Sequence, residues 1–202
     1  MKKLLILISL YAPLLVVSQK PTPTVQDLDF FIGKWEVTLE IYDTHKSNAD
    51  PIFAEKGYQE NEYELNYKGI PMFLTSRGYL EIVETDEKRK HLMGRTREFQ
   101  ESIRYGKFES SFERIGLYSN WPATGIETMT YDSISRMFII RGNLNVQNNM
   151  LERYVDTYKF NEDYTYFEDY TYFERTNIAN FSDMPITEYN LTVKGTGRKV
   201  MD

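Results

Sequence analysis

The sequence predicts an all-β fold, a single antiparallel β-barrel of about nine or ten strands with one short N-terminal helical turn. Three observations support this prediction. Apolar and polar residues alternate with a period of two in many short segments, which is typical of strands buried on one face. Polar turn residues separate these segments at the spacing of a barrel or a sandwich. The chain also holds 16 Tyr and 12 Phe among 202 residues, and aromatic residues favour strands and barrel interiors.

The N-terminus has the layout of a secretory signal peptide. Lys2 and Lys3 precede an apolar segment, 4–17, and Ser18 follows it as a small residue suited to cleavage. The apolar segment is shorter than the roughly 20 residues that span a bilayer as a helix. We therefore expect removal of residues 1–18 and export to the periplasm or beyond in a bacterium, with an uncleaved anchor as the alternative.

Composition argues against several kinds of protein. The chain has no cysteine, so disulfides, thiolate catalysis and cysteine-ligated metals are excluded, and so is the lipid anchor of bacterial lipoproteins. The formal net charge is −6, and no basic stripe is visible. Nucleic acid and anionic membrane surfaces are therefore not expected partners, and we expect no stable membrane insertion after signal cleavage.

The first elements lead into one well-defined strand. Residues 19–25 are interpreted as a flexible polar spacer, and 25–31 as a helical turn that begins after Thr24. Gly33 then ends the turn. From Trp35 to Ile41 every second residue is apolar and the residues between them are polar, so this strand should bury one face.

The barrel domain is predicted to cover residues 26–193. Its further strands are expected at 53–67, 72–83, 91–99, 105–117, 126–131, 136–141, 150–160, 162–173 and 186–193. The charged segment 85–90 is interpreted as a solvated hairpin tip. Residues 194–202 are predicted to form a polar tail.

A six-residue repeat lies late in the chain, where 162–167 and 168–173 have the same sequence. Because six is even, Tyr164, Tyr166, Tyr170 and Tyr172 should share one strand face. These tyrosines would line a pocket or a partner surface. Alternatively, the repeat is a local duplication without such a role.

The segment from Asp29 to Val37, with the pattern Asp-Phe-apolar-apolar-Gly-x-Trp, resembles the opening of lipocalin-like (calycin) barrels. It is similar in particular to a bacterial exported family of unknown function with a heme-binding-like, nitrobindin-like β-barrel. Gly69 and the segment 130–132 fit the rhythm of that family, and the resemblance covers residues 26–193. It implies a closed antiparallel barrel with a cavity.

The resemblance also implies structural roles for Gly33 and Trp35. Trp35 would plug the closed end of the barrel against a basic residue from a late strand, and either Arg175 or Lys194 would be that residue. Heme-binding relatives place a histidine ligand in a late strand, whereas this chain has only two histidines, both earlier in the sequence. We therefore expect no heme and no other cofactor.

No catalytic or metal-binding residues are indicated. His45 lies near Asp43 and Asp50 in a polar segment that is interpreted as a solvated loop rather than a metal site. His91 is placed in a middle strand, and no Gly-x-Ser-x-Gly motif is present. A carboxylate-based hydrolase would need two carboxylates facing each other across a cleft, and it is kept only as a lower-ranked alternative.

Candidate ligand-binding residues lie in the alternating strands. They are Tyr63, Arg77, Tyr79, Arg95 and Arg141. If their faces point inward, cations among aromatic rings would suit a ligand that carries a carboxylate or another anion. If they point outward, their stems pack along apolar neighbours on the barrel surface.

Together these observations predict an exported barrel that binds a small, partly apolar molecule, with an anionic group if the arginines face inward. The main alternative is an envelope protein-interaction barrel with a filled interior. The size of the internal cavity separates the two, because side chains can fill a small barrel completely.

Overall fold

The computed structural model describes residues 23–43, 50–106, 110–119, 125–146, 150–177 and 190–201. The predicted signal peptide, most of the spacer, His45 and the start of the strand predicted at 186–193 lie outside these residues. Among the described residues, no helix is long and apolar enough to cross a membrane.

The described residues form two 3-10 helices, Val25–Phe31 and Glu87–Leu92, and ten strands. The strands are β1 (Gly33–Ile41), β2 (Phe53–Leu65), β3 (Pro71–Thr85), β4 (Thr96–Gly106), β5 (Ser111–Tyr118), β6 (Glu127–Asp132), β7 (Met137–Val146), β8 (Met150–Phe160), β9 (Tyr166–Asn177) and β10 (Asn190–Lys199).

The ten strands form one closed antiparallel barrel, which confirms the predicted fold class. Each strand pairs with the next one in sequence, and β10 returns to β1 with Trp35 opposite Lys199. The shortest described pairing joins β5 to β6 and ends at the pair Arg114 and Glu127. A closed antiparallel barrel of this kind is compatible with a lipocalin-like architecture.

The chain beyond Lys194 is a strand and not the predicted polar tail. Strand β10 runs to Lys199, and its two glycines allow neighbouring side chains to pack closely. A Cβ atom on Gly197 would lie 2.2 Å from the ring of Phe167, and one on Gly195 would lie 2.4 Å from Leu39. Glycine therefore marks close packing in this strand rather than a loop.

The strand predicted at 91–99 begins later than expected. His91 lies in the second 3-10 helix, whose start is capped by the Asp86 carboxylate, because it accepts a hydrogen bond from the Arg89 N–H at 2.9 Å. Strand β4 starts only at Thr96. The prediction missed this cap and treated the charged segment as a simple hairpin tip.

One end of the barrel is closed by the first 3-10 helix and an aromatic floor. Trp35 is fully buried there, and its indole N–H donates to the carbonyl of Phe31 at 2.9 Å. The Asn61 amide donates to the same carbonyl at 2.8 Å. The floor contains the rings of Phe30, Phe31, Trp35, Tyr131, Phe138, Phe160, Tyr164 and Phe167. We call the opposite end of the barrel the distal end.

The basic partner of Trp35 is Lys199, which corrects the expectation for Lys194. The Lys199 ammonium lies 5.5 Å from the Trp35 ring centroid and donates to the Phe30 carbonyl at 3.1 Å. Lys194 lies on the outer surface, 3.7 Å from the Glu40 carboxylate. The side chain of Arg175 is outside the described part of the chain. A late basic residue does therefore pack on Trp35, from a segment that was predicted to be a tail.

Gly33 links the first 3-10 helix to β1 in a conformation that favours glycine. Its φ angle is +110°, and a Cβ atom there would lie 3.2 Å from the Lys199 side chain. The absence of a side chain thus allows both the backbone turn and the approach of Lys199 to the floor.

Candidate functional site

The barrel register decides which predicted site residues face inward. Gly78 is on the inner face of β3, so its neighbours Arg77 and Tyr79 point outward, and Tyr79 is 45% exposed. Arg95 is exposed and precedes β4, and Arg141 is exposed on the outer face of β7. These four side chains do not line the interior, and the structure does not bring them together.

Tyr63 is the one candidate whose side chain points inward, and it braces the first 3-10 helix. Its hydroxyl donates to the Asp29 carboxylate and lies 3.4 Å from the Val25 carbonyl. Burial and then the hydrogen bond to Asp29 raise the pKa of the Tyr63 phenol. This contact ties β2 to the helix that closes the barrel.

Beyond the aromatic floor, the interior contains a buried ionic layer centred on Arg114. Its side chain is 3% exposed and reaches carboxylates from three other strands. The guanidinium donates to Glu127 and, at 2.6 Å, to Asp156, and it lies 3.5 Å from Glu101. We call Arg114, Glu101, Glu127 and Asp156 the Arg114 layer.

Two tyrosines hydrogen-bond to the Arg114 layer from the distal side. Tyr118 donates to Glu101 at 2.7 Å, and Tyr154 donates to Glu127. The ring of Tyr118 stacks on Phe99 with centroids 6.4 Å apart, and that of Tyr154 stacks on Phe173 at 5.3 Å. The layer therefore adjoins aromatic rings whose hydroxyl groups are already engaged.

The electrostatics of the layer follow from its burial. Burial works against a charged guanidinium, but Glu101, Glu127 and Asp156 outweigh it and hold the pKa of Arg114 well above its ordinary value. Burial raises the pKa of both Glu127 and Asp156, although Arg114 opposes this in each case. The cation is therefore permanent, while Glu127 and Asp156 are biased towards protonation.

A second buried ion pair, between Arg97 and Glu55, lies nearer the distal end. The Arg97 guanidinium donates to both oxygens of Glu55, with distances of 2.7 to 3.0 Å. Glu55 is buried, whereas the Arg97 side chain retains some exposure. This pair joins β2 to β4 across the interior, since the two strands are not neighbours in the sheet.

Asp169 is a further buried carboxyl group on the inner face of β9, and it is 6% exposed. Its Oδ1 atom has no hydrogen-bond partner in the described part of the chain. Burial raises the pKa of Asp169 well above its ordinary value; the Asp156 carboxylate adds to this, and Arg114 opposes it. In the sheet, Asp169 lies between Tyr158 and Gly195.

A cavity of about 10 Å³ lies between the aromatic floor and the Arg114 layer. This is about the space that one water molecule needs. The cavity is lined by Phe31, Gln59, Glu101, Ile103, Arg114, Met129, Phe138, Ile140 and Tyr158. A larger molecule does not fit at this level unless side chains move.

The Arg114 layer presents charged and hydrogen-bonding groups inside the barrel. Its three carboxylates converge on one guanidinium, so they do not form a pair facing each other across a cleft. Within the described ranges, no group of three or more His, Asp or Glu side chains is arranged to hold a metal ion. His91 is exposed and lies in the second 3-10 helix rather than in a strand.

The Arg114 layer was not predicted from the sequence, although its strands have charged residues on faces that are otherwise apolar or aromatic. Arg114 lies two residues from buried Phe112, and Glu127 lies two residues from buried Met129. A charge on the apolar face of a strand is the signal that could have identified these positions. The residues predicted from sequence were instead arginines beside aromatic residues, and in β3 these lie on the outer face.

No family model matches the chain, and no curated protein matches it. The described residues form a closed ten-stranded antiparallel barrel with an aromatic floor and a buried ionic layer.

Proposed function

We propose that this chain is an exported, lipocalin-like barrel that binds a small, partly apolar molecule in the distal half of its interior. The observation that carries the proposal is the Arg114 layer, where one guanidinium and three carboxylates are enclosed by the barrel wall. Buried ion pairs seldom add net stability compared with apolar packing. Clusters of buried groups with shifted pKa values are common at functional sites instead.

The surroundings of the layer suit a ligand with both apolar and polar parts. Phe99 and Phe173 present rings on the inner face of the distal half, beside Tyr118 and Tyr154. Aromatic walls with a few polar groups are typical of small-molecule sites in barrels. The ligand would contact these rings and reach the ionic layer with a polar end.

Export belongs to the same proposal and rests on the N-terminal sequence. A charged start, an apolar segment and a small residue at Ser18 support cleavage there and a periplasmic or extracellular location. The opening segment around Trp35 supports membership of the lipocalin-like exported family named above. A fold of this kind hosts many functions, so the proposed activity depends on the interior and not on the family.

The test is native mass spectrometry of the mature protein, residues 19–202, purified gently from its own host. A co-purifying small molecule is expected, and Phe99→Ala should weaken its retention because it removes a ring from the distal interior. Arg77→Ala is the matched control, since Arg77 lies on the adjacent strand but is exposed. Loss of the molecule in both variants, or in neither, would argue against an interior site.

The second candidate is an envelope interaction protein with a filled barrel. The small cavity between the aromatic floor and the Arg114 layer is in keeping with this candidate at that level of the interior. The contact surface of such a protein would be the outer face of β9, where Tyr170 and Tyr172 stack with centroids 6.5 Å apart. Tyr164 does not belong to this face, because it contacts Phe30 in the floor. A ligand-free mass, with no thermal shift across a lipid, heme and metabolite panel, would favour this candidate.

A further inference from the structure

The distal interior carries more carboxyl groups than guanidinium groups. The described side chains on its inner face include the acids Glu55, Glu101, Glu127, Asp156 and Asp169 and the bases Arg97 and Arg114. Arg153 is also buried, but it lies on the opposite face of β8 from Asp156, because strand faces alternate with every residue.

The two guanidinium groups are already committed. Arg97 holds Glu55 through both carboxylate oxygens. Arg114 is shared among the three carboxylates of its layer. Neither ion pair includes Asp169, and Oδ1 of that residue is buried without a hydrogen-bond partner among the described residues.

We propose that the ligand of this barrel carries a compact cationic group, such as a primary ammonium, and that Asp169 is its counter-ion. This inference rests on the proposed function. An ammonium group would supply Oδ1 with a hydrogen bond and would offset the excess of carboxyl groups around it. An anionic ligand would add to that excess. The arginines that suggested an anion, among them Arg77, lie outside the interior.

The state of Asp169 without such a ligand supports the same assignment. Burial and the neighbouring Asp156 carboxylate raise its pKa, so the group tends to hold a proton when no cation is near. A bound ammonium group would neutralise the Asp169 carboxylate in place of that proton. A metal ion is a poorer fit, because the described acids do not form a group of three suited to coordination.

The experiment compares three probes of the same chain length: hexylammonium, hexanol and hexanoate. Each is titrated calorimetrically into the mature protein at about pH 7, where the amine is charged and the acid is ionised. Hexylammonium is expected to bind at least about tenfold more tightly than the other two, as one charge-assisted hydrogen bond would provide. Asp169→Asn should abolish most of this preference.

Asp163→Asn is the matched control, because Asp163 is an exposed carboxylate in the turn before β9. It should leave the preference unchanged. Equal or tighter binding of hexanol or hexanoate would overturn the inference while the proposed function stands. Failure of all three probes to bind would reject both. If Asp169→Asn does not fold, the order of the three affinities in the unmodified protein decides.

Discussion

Arg114→Met would remove the only cation of the Arg114 layer and leave its carboxylates buried. The Arg114 side chain is 3% exposed and that of Glu127 is 1% exposed, so neither can be hydrated without rearrangement. Removing one partner of a buried ion pair costs about 3–5 kcal/mol. For a domain of this size, such a loss corresponds to a decrease in melting temperature of roughly 10 °C.

Arg77→Met is the matched control for this substitution. Arg77 also contacts two carboxylates, Glu62 at 3.0 Å and Glu64 at 3.3 Å, but its side chain is 53% exposed. Exposed ion pairs contribute about 0–1 kcal/mol. The free energy of unfolding of both variants is measured by urea unfolding followed by circular dichroism. Arg114→Met should lose clearly more stability than Arg77→Met, because burial, and not the number of ion pairs, determines the loss.

The pH dependence gives a second check on Arg114→Met. Burial raises the pKa of Glu127 and Asp156 even with Arg114 present, and without Arg114 only the hydrogen bonds from Tyr154 to Glu127 and from Thr171 to Asp156 oppose this rise. Carboxyl groups with a raised folded pKa destabilise the protein as pH rises through that pKa. The stability difference from the unmodified protein should thus be small near pH ~4 and large near pH ~8. A loss that is below about 1 kcal/mol at neutral pH, or that does not vary with pH, would refute the reasoning.

Three further predictions concern stability, each measured by urea unfolding. Trp35→Ala should cost about 3–5 kcal/mol, because it removes the largest buried ring of the floor; a loss below about 1 kcal/mol would contradict that role. Gly57→Ala should cost clearly more than Gly69→Ala, because its Cβ would lie 1.9 Å from the Tyr79 carbonyl oxygen. Gly69 has φ +75° in open space, so the alanine there should cost about 1–2 kcal/mol. Asp169→Asn should become more stable than the unmodified protein as pH rises above ~4, since it removes a buried acid with a raised pKa; identical pH profiles would contradict this.

The fold class was predictable because the alternation of apolar and polar side chains shows which face of a strand is buried. Trp35, Val37 and Leu39 are buried at alternate positions, as the sequence pattern of β1 requires. In β3 the pattern is ambiguous, because both faces carry aromatic or aliphatic residues. Tyr79 and Met72 are exposed there, and inside and outside could not be assigned from that strand alone.

The Arg114 layer could not be predicted, because its members are distant in sequence and meet only through cross-strand register. Glu101 and Arg114 belong to neighbouring strands, whereas Asp156 comes from a strand beyond both. In β6 the charge of Glu127 stands beside apolar Met129 on the same face, whereas in β4 Glu101 shares the inner face with Arg97. Sequence patterns show the face on which such a charge lies, but not which opposite charge will neutralise it.

The position of the Arg114 layer indicates that it also contributes to closing the barrel. Arg114 and Glu127 form the last residue pair between β5 and β6, the shortest described ladder in the sheet. Within the described residues few backbone hydrogen bonds join these strands, so the side-chain ion pair adds a link at the point where the described ladder ends. Arg114 extends that link to Asp156 on β8. Because a buried ion pair also specifies which charge must stand opposite, it favours this register over neighbouring ones. The same side chains would thus set both the strand pairing and the charge of the interior. A double substitution that neutralises Arg114 and Glu127 should therefore weaken the β5–β6 contact and also change the ligand preference.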